Sequence, residues 1–178
     1  MEERTGEAYE LDEQLTVVGK KLHPGDAAPD FALDFFDGEA IRTVRLADSA
    51  DRVRLLNVVN SLDTPICHLE THRWERLRGD LPTNVQVATI SMDLPFAQAR
   101  WQNAENITHA ALSSHRDEQF GRDYGVLIKE WRLLQRAVFV IDADDRIAYA
   151  EYVADQMREP DYAAAIAAAR RAAGYEGV

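Results

Sequence analysis

The single cysteine of this chain, Cys67, lies where a thiol can do chemistry. An apolar run at residues 53–59 precedes it, and a helical pattern follows it. Thr64 is a good N-cap and Pro65 suits the first helical position, so Cys67 falls in the first helical turn. Backbone N–H groups there have no partner within the helix and the helix dipole is positive, which favours the nucleophilic thiolate. A lone cysteine can also be a small buried apolar residue, but this arrangement favours reactivity.

The predicted helix at residues 65–78 places a hydroxyl beside the thiol. Thr64 precedes Cys67 by three residues, so the two side chains lie on the same side of the helix start. The Thr64 hydroxyl can therefore donate a hydrogen bond to the thiolate, or to an oxygen bound to it, while the residue also caps the helix. Apolar spacing predicts that the inward helix face carries Ile66, Leu69, Trp74 and Leu77.

His68 and His72 suggest a different chemistry. They are four residues apart and share one helix face, so they could bind a metal ion. Cys67 points about 100° away from His68 and does not complete such a site readily. Glu75 is near in sequence, but no cluster of metal ligands at the right spacing supports the site further. The sequence favours a solvated helix surface and predicts no metal.

The elements that must position Cys67 alternate between strands and helices. This alternation predicts an α/β domain in three layers, with a mixed central sheet flanked by helices. Residues 1–10 are polar and are expected to be flexible, and one domain covers residues 11–174. A short N-terminal β-hairpin is predicted at residues 15–22. Further strands are predicted at 31–33, 41–46, 53–59, 85–92, 110–112, 133–141 and 147–153, and helices at 65–78, 95–103 and 117–122, with a last helix from Pro160 to Gly174.

Composition narrows the class of protein. The 178 residues suit one domain, and no apolar run is long enough to cross a membrane. The acidic N-terminus lacks the apolar core of a secretory signal, and one cysteine excludes an intrachain disulfide, so we expect a cytoplasmic protein. The net charge of −11 argues against nucleic acid or an anionic membrane as a partner. Few basic residues are lysines, which fits either a high-salt cytoplasm or a GC-rich genome.

Five motifs in order along residues 11–172 resemble those of the thiol peroxidase branch of the peroxiredoxins. The sequence Ser-Leu-Asp-Thr-Pro-Ile-Cys at 61–67 resembles the active-site loop S-[IL]-D-T-x-x-C of that family. The other motifs are Ala-Pro-Asp-Phe at 28–31, Leu-Pro-Phe-Ala-Gln-Ala-Arg at 94–100, Phe-Gly-Arg-Asp-Tyr-Gly-Val at 120–126 and Arg-Ala-Val-Phe-Val-Ile-Asp at 136–142.

The resemblance implies a thioredoxin fold and an enzyme that reduces hydrogen peroxide or organic hydroperoxides without a metal or organic cofactor. Cys67 would be the peroxidatic cysteine, whose thiolate attacks the peroxide and becomes a sulfenic acid. Thr64 would orient the thiolate and the peroxide. Arg136, at the entry of a strand, would favour the thiolate and stabilise charge on the departing oxygen; without the resemblance, a surface ion pair is the simpler interpretation. The resemblance also implies a homodimer.

Two positions depart from the family pattern. Asn60 stands where peroxiredoxins have a proline, seven residues before the cysteine, and it can either admit water or add a hydrogen bond. Gln102 stands where many thiol peroxidases have a resolving cysteine. The sulfenic acid must therefore be reduced by an external thiol, either a small molecule or a redoxin.

Two rival classes follow from the same residues. A non-enzymatic thiol sensor or interaction module on a peroxiredoxin scaffold is compatible with both departures. A thioredoxin-like disulfide reductase is disfavoured, because the chain has no Cys-x-x-Cys motif.

Overall fold

The computed structural model describes residues 1–175 and contains eleven strands and four α-helices within that range. The strands are β1 (Glu3–Glu10), β2 (Glu13–Val18), β3 (Ala32–Phe36), β4 (Ile41–Arg45), β5 (Val53–Val58), β6 (Val85–Ser91), β7 (Ala110–Ser113), β8 (Leu127–Ile128), β9 (Leu133–Leu134), β10 (Ala137–Ile141) and β11 (Ile147–Tyr152). The helices are α1 (Pro65–Leu77), α2 (Pro95–Glu105), α3 (Gln119–Asp123) and α4 (Tyr162–Ala172).

A seven-stranded mixed sheet forms the centre of the fold, in the order β11-β10-β5-β6-β7-β3-β4. Strands β5, β6 and β7 are parallel, and β10 is antiparallel to β5. Every residue of β5 is buried, which is typical of a parallel strand covered on both faces. Leu55 packs on one face of the sheet with Trp74 of α1 and Tyr162 of α4, and Leu56 packs on the other with Phe120 of α3. The predicted three-layer α/β architecture is confirmed.

The N-terminal hairpin is present, but its position differs from the prediction. Strand β2 includes the first predicted strand, residues 15–18, but it pairs with β1 before it and not with residues 21–22 after it. Arg4 and Ala8 of β1 are buried, so the segment that we expected to be flexible is a paired strand. Gly19 has a φ of 105°, and an added Cβ would collide with the carbonyl of Arg122, so this position has no room for a side chain. This glycine therefore marks a close approach of two chain segments, whereas the sequence suggested a turn.

The strand predicted at residues 133–141 is divided into β9 and β10. Strand β9 pairs with β8 in a smaller four-stranded sheet, while β10 joins the central sheet beside β5. Gln135 and Arg136 lie between the two strands, where the chain passes from one sheet to the other. The Arg136 side chain thus extends from the segment that connects the two sheets.

Helix α1 begins as predicted, with Thr64 as its N-cap and Pro65 in its first turn. Its buried face differs from the prediction, because Leu69 is 55% exposed and a carboxylate, Glu70, is fully buried. The buried residues of this helix are Cys67, Glu70, Thr71 and Trp74. None of the helices described within residues 1–175 combines the length and hydropathy needed to cross a membrane.

Candidate active site

Cys67 lies in the first turn of α1 with no exposed surface. Its thiol packs in a small apolar cluster with Val59 just after β5, Leu62 of the following loop and Trp101 of α2. Cys67 therefore lies at the helix N-terminus, as predicted for a reactive thiol, and it is also buried, as expected for a small apolar residue. The two are compatible, since a thiol surrounded by apolar groups on one side still meets polar groups on the other.

Arg136 provides the positive charge beside the thiol. Its Nη1 donates to Cys67 Sγ at 3.4 Å, and the side chain is only 1% exposed. The guanidinium is held by the Gln156 carbonyl, which accepts from Nη2 at 2.9 Å, and the Arg136 backbone N–H donates to Gln156 Oε1 at 2.9 Å. Burial by itself would lower the pKa of Arg136, but Glu70 and Cys67 raise it above its usual value. The arginine is thus charged, oriented and in contact with the sulfur.

Glu70 is a member of the site that the sequence analysis missed. Its carboxylate lies one turn after Cys67, is fully buried and accepts from Arg136 Nη1, while Oε1 has no hydrogen-bond partner among the described residues. Burial raises the pKa of Glu70 to about 8, although the charge of Arg136 opposes the shift. The spacing of Cys67, Glu70 and Trp74 on one helix face was the available signal, and the preference of glutamate for solvent obscured it.

Asn60 contributes polar contacts where the family has a proline. Its amide Nδ2 donates to the carbonyl of Leu134 at 2.6 Å and to Gln156 Oε1 at 3.1 Å. Its Oδ1 accepts from Arg136 Nη2 at 3.3 Å and lies 4.0 Å from Cys67 Sγ. Of the two effects considered for this asparagine, the added hydrogen bonds are the one observed. Asn60 therefore links the thiol, the arginine and the crossover between the sheets.

Thr64 is held by the loop before α1. Its hydroxyl donates to the Ser61 carbonyl at 2.9 Å, and its two lone pairs are left to accept other donors. Asp93 fixes the same loop, because its carboxylate accepts from Ser61 Oγ at 2.7 Å and from the Leu62 backbone N–H at 2.9 Å. No hydrogen bond joins Thr64 to Cys67 within residues 1–175. Its part in orienting a thiolate or a peroxide stays a prediction.

The position predicted for a resolving cysteine has a structural role of its own. Gln102 lies on α2, and its Nε2 donates to the carbonyl of His109 at 2.8 Å, which ties this helix to the start of β7. A cavity of about 560 Å³ opens elsewhere, against Phe31, Leu56 and Leu112, and none of the residues around the thiol lines it. The cavity is therefore separate from the buried thiol and its contacts.

Comparison with known proteins agrees with this geometry. The thiol peroxidase of Streptococcus sanguinis is 46% identical over 161 residues, covering 90% of this chain and 96% of that protein. The crystal structure of a peroxiredoxin-like protein from Aquifex aeolicus superposes with a TM-score of 0.81, at 31% identity, over 94% of this chain and 98% of that one. A thiol peroxidase from Chromobacterium violaceum gives a TM-score of 0.80 at 26% identity, over 92% and 94% of the two chains.

These likenesses define a peroxiredoxin with a thioredoxin-like fold, as the sequence motifs implied. The AhpC/TSA family model matches residues 24–150, a segment that includes Asn60, Cys67 and Arg136. The chain belongs to the AhpC/TSA family.

Proposed function

We propose that this protein is a thiol peroxidase in which Cys67 reduces hydrogen peroxide or an organic hydroperoxide. The observation that carries the proposal is the 3.4 Å contact between Arg136 Nη1 and Cys67 Sγ in the first turn of α1. A guanidinium in a buried site stabilises negative charge far better than water does at the same distance, because no solvent must reorganise around it. The thiol peroxidase relatives, which are 46% identical over most of the chain, support the same activity.

The proposed reaction begins with attack of the Cys67 thiolate on the terminal peroxide oxygen. A sulfur–oxygen bond forms and the O–O bond breaks, so the sulfur is oxidised to a sulfenic acid and the peroxide is reduced. The departing oxygen takes up a proton and leaves as water or an alcohol. Arg136 stabilises charge on that oxygen as it develops, and Thr64 accepts a hydrogen bond from the peroxide and so fixes its direction. No metal or organic cofactor takes part in these steps.

The second half of the cycle needs a thiol from outside the chain. Two external thiols reduce the sulfenic acid to the Cys67 thiol and water, and become a disulfide. Because Cys67 has no exposed surface, the residues around the sulfur must move before either a peroxide or a thiol can reach it. A reducing compartment such as the cytoplasm supplies such thiols.

Rapid-mixing kinetics test the proposed chemistry. Trp101 packs in the same cluster as Cys67, so its fluorescence reports oxidation of the sulfur. We expect Cys67→Ser to abolish peroxide reduction and Arg136→Ala to slow it by about 10²–10³-fold, the usual loss for one oriented donor. Arg76→Ala, which changes an exposed arginine of α1, is the matched control. A wild-type rate equal to that of free cysteine and unaffected by Arg136→Ala would contradict the proposal and favour a non-enzymatic sensor.

Thr64 is tested by a pair of substitutions that separates the hydroxyl from the shape of the side chain. Thr64→Val should slow oxidation of Cys67 by about 10–100-fold, whereas Thr64→Ser should keep most of the rate. Equal rates in the two variants would show that the Thr64 hydroxyl takes no part in the reaction.

We also propose that the protein is a homodimer, as the family resemblance implies. Light scattering at micromolar concentration should give twice the mass of one chain. A monomer in that measurement would remove the proposal without affecting the chemistry at Cys67.

A further inference from the structure

Three side chains of types that can bind a metal ion lie close together on the side of α1 that the thiol does not occupy. His68 and His72 lie one turn apart on this helix, and Glu105, the last residue of α2, faces both of them. One ligand atom from each of the three residues lies within 4.8 Å of the other two. Sequence spacing revealed the histidine pair, but the carboxylate comes from a different helix and only the fold supplies it.

The distances are close to those of a coordination sphere. Glu105 Oε2 lies 3.0 Å from His72 Nε2 and 3.8 Å from His68 Nε2. Ligand atoms about 2.0–2.1 Å from a tetrahedral Zn²⁺ are separated by roughly 3.3 Å, between these two values. Small side-chain rotations therefore bring all three donors onto one ion. The side chains are 39%, 28% and 34% exposed in chain order, so an ion can enter from solvent.

The neighbouring charged groups leave this cluster free for a ligand. Glu75, which the sequence placed near the histidines, is engaged elsewhere by His109 and Thr108. Cys67 faces Arg136 and is no part of the cluster. Among the described residues, the ion pairs of Glu105 are those with the two histidines, and the two imidazole rings are tilted by 54° with centroids 4.7 Å apart. Two imidazoles and one carboxylate suit zinc and similar transition metals, and disfavour magnesium or calcium.

We propose that His68, His72 and Glu105 bind a divalent transition-metal ion such as Zn²⁺, with water in the remaining position. The ion joins α1, which carries Cys67, to the C-terminal end of α2. Trp101 lies against both imidazoles, with ring centroids 5.5 and 5.7 Å away, and therefore reports occupancy through its fluorescence. The site is distinct from the thiol contact and does not depend on peroxidase activity.

Isothermal titration with Zn²⁺ tests the site directly. We expect one ion per chain for the wild type, and affinity at least tenfold weaker for His68→Ala, His72→Ala and Glu105→Gln. His23→Ala, which removes an exposed histidine outside the cluster, should bind as the wild type does. Zn²⁺ should also raise the Tm of the wild type and of His23→Ala, but not that of His72→Ala, because an ion bound only to the folded state stabilises it.

A Cys67→Ser variant shows whether the metal binds at the cluster that contains Glu105 or at the thiol of Cys67. Retained Zn²⁺ binding in Cys67→Ser, together with its loss in Glu105→Gln, supports the proposal. Binding that is lost in Cys67→Ser and kept in Glu105→Gln would assign the ion to the thiol and overturn it. No heat and no fluorescence change up to millimolar Zn²⁺ would overturn it as well.

Discussion

Arg136 shares one guanidinium between two acidic groups, the thiol of Cys67 and the carboxyl of Glu70. Both contacts use Nη1, and all three side chains are buried. Burial raises the pKa of Glu70 to about 8, so its carboxyl is mostly neutral below that pH. A neutral carboxyl competes less strongly than a carboxylate for Nη1, which leaves the charge of Arg136 to the sulfur.

Replacement of Glu70 by glutamine should change how stability depends on pH. The pKa of Glu70 is about 8 in the folded protein against an ordinary value of 4.5, so between these values the folded state holds a proton that the unfolded state has released. Wild-type stability should therefore fall as pH rises through this window, by up to about 1.4 kcal/mol per pH unit from this group. Glu70→Gln should lack that fall, as measured by urea unfolding from pH 5.5 to 8.

Asp37→Asn is the control, because the partners of Asp37 among the described residues are backbone N–H groups and Arg42 and include no histidine. The Ala40 backbone N–H and the Arg42 guanidinium hold the pKa of Asp37 below its ordinary value. The stability that this carboxylate contributes is therefore present above that ordinary value and is lost only in acid, so its removal should not alter the slope between pH 5.5 and 8. An equal change of slope in both variants would contradict the assignment to Glu70.

Asn60→Pro should make the peroxidase faster and less stable. The substitution removes an amide oxygen that accepts from Arg136 and lies near the sulfur, which frees that donor for the thiolate and the peroxide. It also leaves the carbonyl of Leu134 without its amide donor, a loss of about 1–3 kcal/mol for a buried group. Peroxide kinetics and urea unfolding measure the two effects. A slower variant would instead show that Asn60 positions Arg136.

At the scale of elements, the geometry at Cys67 depends on the loop between β5 and α1. Asp93, which follows β6, accepts three hydrogen bonds from this region: from Ser61, Leu62 and Ser91. Since β5 and β6 are parallel neighbours, both end at the same edge of the sheet, and α1 begins near that edge. One carboxylate thus fixes the loop that leads into α1.

Asp93→Ala should therefore reduce both stability and peroxide reduction. Loss of a half-buried acceptor with several donors is expected to cost about 1 kcal/mol or more of unfolding free energy, and the loosened helix start should slow Cys67 oxidation. Asp63→Ala removes an exposed carboxylate from the same loop and should change neither quantity by more than experimental error. An Asp93→Ala variant as active and as stable as Asp63→Ala would show that the loop holds its shape without this residue.

At the scale of the whole molecule, the N-terminal hairpin contacts the segment that holds Arg136 in place. Tyr9 of β1 donates its backbone N–H to the carbonyl of Ala154 at 2.9 Å and accepts from the Gln156 N–H at 2.9 Å. Gln156 in turn holds both the backbone and the guanidinium of Arg136. The segment that composition predicted to be flexible is thus three contacts away from the sulfur, through Gln156 and Arg136.

Deletion of residues 1–10 should consequently slow peroxide reduction as well as lower the Tm. The deletion removes the backbone partners of Gln156 and the buried Arg4, which donates to the Gly125 carbonyl at 2.9 Å. Deletion of residues 1–2 alone leaves β1 intact and is the control. Full activity after removal of residues 1–10 would restore the original expectation of a dispensable segment.

Local patterns in the sequence predicted most of the fold. The apolar run of β5, the Thr64-Pro65 start of α1 and the alternation of strands and helices were all confirmed, because they depend on backbone and burial preferences that act over a few residues. The family motifs added the thioredoxin-like fold, and they indicated the position of Arg136. The N-terminal strand was missed, because polar residues in a sheet edge resemble a mobile tail until their partners are known.

The sequence alone determined that one cysteine lies at a helix start, and that the chain has no second cysteine to reduce the oxidised one. Only the tertiary structure decided which charges surround that cysteine. Glu70, Asn60 and Asp93 are ordinary polar residues in the sequence, and they acquire their roles because the fold removes water and brings distant segments to the same sulfur. Glu105 is a further example, because it lies on another helix and comes close to His68 and His72 only in the folded chain.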